Sequence, residues 1–288
     1  MFIFNKIFLS SVLAFILFTP LLGDQALELA EKFFNSGNYY HAITEYKRFL
    51  FFNPYGEGTT LSYVYYKIGM AYINQELWDE GKEAFEKAIQ AEKDERVRDE
   101  RKIALAIAMI ASSSYSEAEF LLLKVEIFSP IPELRRKSAF LRGISSIYSS
   151  KWKEAREAFS FYFKNSNMKN SEIYREVDSQ LLKAQTLRYK SPKLAKVLST
   201  VLPGAGQIYA GDWRNGINGL VLNLSIAYFL ATELLQKRFQ EFIFDALFLF
   251  DRFYQGNRAL AEKSAKKYNQ ILNKRITEKI IHILQDKQ

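Results

Sequence analysis

Side chains that could carry catalysis or hold a metal ion are scarce in this chain of 288 residues. It has no cysteine and only two histidines, His41 and His282. The lack of cysteine excludes disulfides, thiolate zinc sites, a cysteine nucleophile and a lipid-modified N-terminal cysteine. Two histidines this far apart in the sequence do not indicate a metal site. The Gly-Lys-Ser/Thr, His-Glu-x-x-His and Gly-x-Ser-x-Gly motifs are also absent. The sequence therefore predicts a protein that is not an enzyme and that binds no cofactor or metal.

One glycine pair has part of the spacing of a dinucleotide-binding loop but lacks its context. After Gly204 and Gly206, the next glycine, Gly211, follows five residues later instead of three. The flanking residues do not form a strand–turn–helix pattern. The only acidic residue near the position of a ribose ligand, Glu233, lies in an apolar run. We therefore reject nucleotide binding for this stretch.

The same glycines belong to a stretch that is rich in helix-breaking residues. Residues 201–219 (VLPGAGQIYAGDWRNGING) hold five of the thirteen glycines of the chain. Such a density predicts sharp turns or the close approach of another segment. The predicted structural motif comprises Pro203, Gly204, Gly206, Gln207, Tyr209 and Gly211.

We expect this turn to let a short helix, residues 194–202, pack against the start of the apolar helix that follows. Gln207 is expected to hydrogen-bond the backbone groups that Pro203 frees, because unpaired groups are costly in lipid or in a core. Tyr209 and Trp213 suit a boundary between water and lipid, since each combines an apolar ring with a polar tip.

Self-similarity marks residues 24–190. A small or polar residue is followed two positions later by an aromatic residue, then at intervals of three, four and three by a small residue, an aromatic residue or leucine, and an apolar residue. The four copies are Gly37-Tyr39-Ala42-Tyr46-Phe49, Glu76-Trp78-Gly81-Phe85-Ala88, Ser113-Tyr115-Ala118-Leu122-Val125 and Ser150-Trp152-Ala155-Phe159-Tyr162. The small residues Ala42, Gly81, Ala118 and Ala155 step by 39, 37 and 37 positions. We expect them to let antiparallel helices approach closely.

This pattern resembles the tetratricopeptide repeat (TPR) family over residues 24–168. Ile68-Gly69 with Tyr72 matches the first-helix positions of that family, as do Leu29-Ala30 with Phe33, whereas Arg142-Gly143 matches only in part. The resemblance implies an all-α solenoid of helix pairs, ended by a capping helix over residues 172–189. An irregular helical bundle is the alternative.

The resemblance also implies that the first helices of the pairs bind a protein segment. The positions expected to line such a peptide groove are Tyr66, Met70, Asn74 and Arg142. The alternative for each of them is ordinary packing or solvent-exposed surface.

The C-terminal third contains two apolar runs. Ile217–Leu235 has 19 residues, about 28 Å of helix, which is enough to cross a hydrocarbon core. It carries Asn223 and Glu233. The second run, residues 241–254, is shorter and has Asp245 in its middle. A charge at mid-bilayer costs a few kcal/mol unless it is paired or hydrated, so a soluble helical hairpin or a re-entrant segment is the alternative to a second crossing.

A second resemblance covers residues 192–269. PGAGQIYAGDWRNGI followed by an apolar helix, and later DRFYQGN, are similar to a bacterial family of small two-span membrane modules with a Pro-Gly-x-Gly-Gln…Tyr…Gly signature. The resemblance implies a membrane-associated helical hairpin. This chain departs from it at Asp245 and in the length of the second run.

The last segment, residues 256–284, is predicted to be a basic amphipathic helix. Its apolar residues keep a spacing of three or four: Ala261, Ala265, Tyr268, Leu272, Ile276, Ile280 and Ile283. From Ser191 onward, 14 Lys and Arg stand against 8 Asp and Glu, a net charge of +6 within a total of +8. This excess favours anionic lipid over nucleic acid as the partner.

The N-terminus has the order of an export signal: Lys6, the apolar residues 7–18, and Pro20. An uncleaved anchor is the alternative. The predicted organisation is a signal or anchor over residues 1–23, a TPR-like domain over 24–190, a membrane-associated module over 191–255 and a basic helix over 256–288. We expect a membrane-associated location in the bacterial cell envelope, with a periplasmic repeat domain.

Three functions are compatible with this organisation. The first is an envelope scaffold or adaptor whose repeats bind a protein segment while the C-terminal module anchors it to membrane lipid. The second is a channel or transport component with an accessory repeat domain, for which the polar residues in the apolar runs argue. The third is a soluble periplasmic TPR protein of outer-membrane assembly.

Overall fold

The computed structural model describes residues 23–166 and 171–285. The described chain is all-α, as predicted, and contains no strand within those ranges. The export signal predicted for residues 1–23 lies outside them, except for Gly23. The chain divides into two compact units, residues 1–181 and 182–288, which we call the repeat unit and the C-terminal unit. The division falls inside a helix, whereas the sequence placed the domain boundary after Lys190.

The repeat unit is a succession of antiparallel helices in which each helix packs mainly on its neighbours in the chain. Such nearest-neighbour packing is typical of helical repeats. The helices are α1 (23–35), α2 (Tyr39–Phe52), α3 (Gly58–Ile73), α4 (Trp78–Ala91), α5 (Glu95–Ala111), α6 (Tyr115–Phe128), α7 (Pro132–Tyr148), α8 (Trp152–Lys164) and α9 (Glu172–Gln185).

The turn within each pair has the same geometry in all four copies. The residue that opens the sequence pattern has positive φ: 77° at Gly37, 60° at Glu76, 62° at Ser113 and 59° at Ser150. Its N–H and that of the next residue donate back to the preceding helix, for example Ser113 to Ile110 and Ser114 to Met109. This is a Schellman motif, which satisfies the last carbonyls of a helix and reverses the chain. The period found in the sequence is therefore a period of turns.

The other positions of the pattern form the core between the helices. The small residues Ala42, Gly81, Ala118 and Ala155 are all buried. The rings of Tyr46, Phe85 and Phe159 are also buried. A Cβ added to Gly69 would lie 2.8 Å from the ring of Phe85, so the aromatic residue of α4 occupies the space that the small residue of α3 leaves open.

Replacing Ala118 with leucine is therefore expected to destabilise the repeat unit. Ala118 has no exposed surface, and extra methylene groups in a well-packed core typically cost about 1–3 kcal/mol. The measurement is thermal unfolding of the full chain in detergent micelles, compared with Ser116→Leu on the exposed face of the same helix. Equal melting of the two variants would contradict the buried position of Ala118.

The C-terminal unit consists of α10 (Pro192–Val201), α11 (Ala205–Tyr209), α12 (Trp213–Leu235), α13 (Phe239–Asp245), a π-helical segment (Ala246–Phe250) and α14 (Asp251–Gln285). Small residues of α10 and α14 form its core, including Ala195, Ala261 and Ala265. The predicted boundary between residues 255 and 256 lies inside α14, which continues through it. One glycine in a helix costs about 1 kcal/mol relative to alanine, which is too little to end so long a helix.

Candidate functional site

A groove of about 400 Å³ opens on the repeat unit between the first helices of successive pairs. Its walls come from α3, α5 and α7, with one ring from α4. The lining residues are Tyr66, Met70, Ile73, Phe85, Glu100, Arg101, Ile103, Ala104, Ile107, Ala108, Leu134 and Lys137. Most of them are apolar, and grooves of this size and composition are typical ligand sites.

Arg101 gives this groove its polar character. Its guanidinium lies over the ring of Tyr66, 3.9 Å from the centroid, in a cation–π contact. Its Nε atom is buried and has no hydrogen-bond partner in the described structure. Lys137 adds a second positive charge, whereas Glu100 pairs with Arg96 across one turn of α5. The groove thus combines an apolar floor with a cationic edge.

The structure brings together two of the four residues predicted for the groove. Tyr66 and Met70 line it. Asn74 instead caps its own helix, because its side-chain amide donates to the Met70 carbonyl oxygen at 2.8 Å. Arg142 lies in a bidentate ion pair with Glu126, at 2.8 and 2.9 Å, and both side chains are almost buried. Asn74 and Arg142 therefore do not line this groove.

Ile103 and Ile107 also line the groove, and neither is among the positions predicted for it. They stand one period of 37 residues after Tyr66 and Met70. Adding the repeat period to positions 66 and 70 therefore gives both residues. Arg101 has no comparable signal, because its contact with Tyr66 depends on how α5 packs on α3.

A polar cluster connects α1, α2 and α3 in the first two repeats. The Glu31 carboxylate accepts hydrogen bonds from Tyr46 at 2.6 Å and Tyr63 at 2.9 Å, and it pairs with Lys67 at 3.1 Å. Burial raises the pKa of Glu31, but these three partners outweigh it, and the pKa lies below its ordinary value. Burial and the same carboxylate raise the pKa of Tyr63 to about 12. With three donors, Glu31 is a structural group.

In the C-terminal unit, the glycine-rich stretch is a point of close backbone contact. Gly204 has a φ of 94° and precedes the one-turn helix α11. A Cβ on Gly204 would overlap the carbonyl oxygen of Gly216 in α12, and one on Gly206 would overlap that of Ala195 in α10. Helix α11 is therefore wedged between α10 and α12. The prediction that the short helix, α10, packs on the start of the long helix, α12, is wrong, because α10 packs mainly on α14 and α11.

A buried chain of polar side chains holds this junction together. The Ser199 hydroxyl accepts from the Gly206 N–H at 2.9 Å and donates to Gln207 Oε1 at 2.7 Å. Gln207 Nε2 donates to the side-chain and backbone oxygens of Asn257, at 2.6 and 3.0 Å. Gln207 therefore connects the PGAGQ stretch to the DRFYQGN stretch. The prediction that Gln207 bonds the backbone groups freed by Pro203 is wrong, because its side chain bonds Ser199 and Asn257 instead.

The remaining motif residues shape the ends of the junction. Pro203 follows α10, and Gly211, with a φ of 82°, makes a turn of the kind found in the repeats. The Tyr209 hydroxyl accepts from the Ser191 N–H at 3.1 Å. A hydrogen bond from Asn215, supported by one from Ser264, lowers the pKa of Asp212 against the opposing effect of burial.

Among the described helices, α12 alone is long and apolar enough to cross a membrane, as judged from length and composition. Only 17% of its most apolar window is buried. Its exposed apolar residues include Ile217, Val221, Leu222, Leu224, Tyr228, Phe229, Leu234 and Leu235. The helical leg that follows, formed by α13, the π-helical segment and α14, exposes Phe239, Ile243, Phe244, Leu247 and Phe248. Exposed apolar side chains in such number are typical of surfaces that contact a membrane or another protein.

The inner face of α12 carries polar atoms without partners. Asn223 Nδ2 donates to the Gly219 carbonyl at 2.8 Å, but its Oδ1 is buried and has no hydrogen-bond partner in the described part of the chain. Glu233 Oε2 also lacks a hydrogen-bond partner among the described residues, although its carboxyl group lies beside Asp245, and so does Asn257 Nδ2 on the neighbouring helix α14. Between Asn223 and Glu233 the buried positions of the helix are Ile226 and Leu230. No His, Asp and Glu groups of the described residues come together as a metal site.

In comparisons with known proteins, no family model, no curated protein and no solved structure matches this chain. The resemblances to the TPR family and to the two-span membrane modules therefore stay predictions.

Proposed function

We propose that this protein is a non-enzymatic adaptor of the bacterial cell envelope. Its TPR-like repeat unit binds a protein segment, and its C-terminal unit anchors the complex to a membrane. The observation that carries the proposal is the groove around Tyr66, Met70 and Arg101, in a chain that also has an exposed apolar helix of membrane-spanning length.

The groove favours a peptide with an apolar side chain next to an acidic group. The apolar floor from Met70, Ile103 and Ile107 suits a leucine-sized or aromatic side chain, and the groove volume is that of a few residues. The guanidinium of Arg101 and the ammonium of Lys137 suit a carboxylate, since an arginine pairs with it in a defined geometry.

The membrane anchor is supported by the exposed face of α12 and of the leg after it. In water such a surface promotes aggregation, and in a bilayer it is solvated by acyl chains. Trp213 at the start of α12 is 58% exposed and suits the headgroup level. The hairpin turn at its other end contains Lys237 and Arg238, which suit the opposite surface.

A transport component is the second candidate, and the unpartnered polar atoms of Asn223 and Glu233 favour it. Polar groups inside a membrane helix mark substrate or ion paths in many proteins. Ile226 and Leu230 separate the two, which favours the adaptor. Ion flux across liposomes that contain the purified chain distinguishes the two functions, because an adaptor leaves them sealed.

Panning a displayed library of random 12-residue peptides against the full chain tests the groove. We expect enriched peptides with apolar and acidic residues, and we expect their affinity to fall at least tenfold in Ile107→Glu, since loss of a central apolar contact costs more than about 1.4 kcal/mol. Phe120→Glu on the exposed face of α6 is the matched control. No enrichment, or equal losses in both variants, would contradict a peptide groove.

A further inference from the structure

Helix α10 has two chemically different faces. Ala195 and Ser199 are fully buried against the rest of the C-terminal unit. The opposite face exposes Leu194, Val197 and Val201, which recur at intervals of three and four and are 44%, 51% and 82% exposed. Such a stripe on a helix with an otherwise polar outer surface is typical of interfacial helices.

This stripe continues onto neighbouring elements. Leu202 after α10, Ile208 in α11 and Trp213 at the start of α12 are each at least half exposed. Helix α11 packs on both α10 and α12, so these side chains connect the stripe of α10 with the apolar face of α12. An exposed apolar surface that extends from the side of a spanning helix onto a second helix fits the boundary of the same bilayer.

Two lysines accompany the stripe. Lys193 has no ion pair among the described residues, and Lys196 forms only a 3.5 Å contact with Glu262. Both side chains are exposed. Long ammonium side chains beside an apolar stripe can place their methylene groups along the acyl boundary while the charge reaches lipid phosphates.

We propose that α10 is an interfacial helix that lies in the headgroup region of the bilayer. Leu194, Val197 and Val201 enter the acyl boundary, and Lys193 and Lys196 contact the phosphates of anionic lipids. This inference rests on the proposed membrane anchor and adds to it a second, lipid-selective contact. At 10 residues, or about 15 Å, α10 is too short to cross, so it lies along the surface instead.

The lack of native cysteine allows single spin labels at chosen positions. Val197→Cys and Val201→Cys report on α10, Leu224→Cys reports on α12, and Gln270→Cys is the water-exposed reference on α14. The full chain is placed in vesicles of phosphatidylcholine with about one-third phosphatidylglycerol, an anionic lipid that gives the vesicle surface a negative potential. Collisions of each label with oxygen, which concentrates in lipid, and with a water-soluble nickel complex are then measured.

We expect labels 197 and 201 to meet oxygen more often than nickel, label 270 to show the reverse, and label 224 to lie deepest. If label 224 is in lipid while labels 197 and 201 are in water, the interfacial helix is overturned and the anchor stands. If label 224 is in water, the anchor fails and this inference fails with it.

The lipid selectivity is tested by the double variant Lys193→Gln/Lys196→Gln. We expect phosphatidylglycerol to deepen label 197 in the parent chain, and we expect this lipid dependence to disappear in the double variant. Lys274→Gln/Lys279→Gln, at the distant end of α14, removes the same charge and should keep it. Retention of the dependence in the α10 variant would overturn the assignment of these two lysines.

Discussion

Replacing Gly206 with valine is expected to disrupt the C-terminal unit while the repeat unit keeps its stability. Even the first added carbon would overlap the carbonyl oxygen of Ala195 and would lie 2.7 Å from the Ser199 hydroxyl. Backbone atoms of α10 cannot move away without separating α10 from α11. The same movement breaks the hydrogen bond from the Gly206 N–H to Ser199 and, through Ser199, loosens Gln207. We expect a loss of about 3 kcal/mol, the upper part of the overpacking range.

Gly256→Ala is the matched control for this variant. Gly256 lies inside α14, and an added Cβ there has nothing within 4 Å. Alanine should therefore stabilise the helix by up to about 1 kcal/mol. Hydrogen exchange of the reconstituted full chain, followed by peptide, measures the two units separately. Slow exchange in residues 192–211 of Gly206→Val, like that of the wild type, would show that the glycine stretch is only a linker.

The importance of Gly206 could be predicted from the sequence, but its physical cause could not. A density of glycines indicates either sharp turns or the close approach of another segment, and the sequence leaves both open at this position. The structure gives positive φ to Gly204 and Gly211 and not to Gly206. Close approach is a tertiary property that depends on where the carbonyl of Ala195 lies. In the same way, the sequence identified Gln207 as a hydrogen-bonding residue, whereas one of its two partners, Asn257, is 50 positions away.

The repeat period predicted the turns better than the groove. A Schellman turn depends on local residues, so Gly37, Glu76, Ser113 and Ser150 could be aligned from spacing alone. The groove depends on which side of each first helix faces its neighbour. Tyr66 and Met70, on the first helix of the second pair, line the groove, whereas Arg142 pairs with Glu126 instead. An arginine on the predicted face of a helix can form an ion pair inside the protein, and the sequence alone does not reveal such a pair.

The apolar run from Ile217 located α12, because length and hydropathy are properties of the sequence itself. The continuity of the helical segments after α12 was less predictable from the sequence. The second apolar run and the basic tail form a continuous helical leg from Phe239 to Gln285, with a π-helical segment at Ala246–Phe250. One extra residue in a helical turn leaves no mark in the pattern of side chains. Its effect is to shift which faces of the leg meet α12.

Replacing Arg142 with methionine is expected to destabilise the repeat unit by about 3 kcal/mol. The two nitrogens of Arg142 bond both carboxylate oxygens of Glu126, and the side chains are 11% and 8% exposed. Removal of one partner from such a pair leaves a charge in a place that water reaches poorly, and measured costs are 3–5 kcal/mol. Because Glu126 lies on α6 and Arg142 on α7, the loss should weaken the contact between successive repeats.

The double variant Glu126→Leu/Arg142→Met separates the pair from the packing around it. With both charges removed, the site is apolar and similar in volume, and we expect the double variant to regain most of the lost stability. Hydrogen exchange of peptides from α6 to α8 should be about 100-fold faster in the single variant and near the wild-type rate in the double variant. Equal exchange in the single variant and the wild type would mean that the Glu126 charge reaches water. Peptide binding at the groove should be unchanged in the double variant, because neither residue 126 nor residue 142 lines the groove. A loss of peptide binding in the double variant would instead indicate that Arg142 contributes to the peptide site.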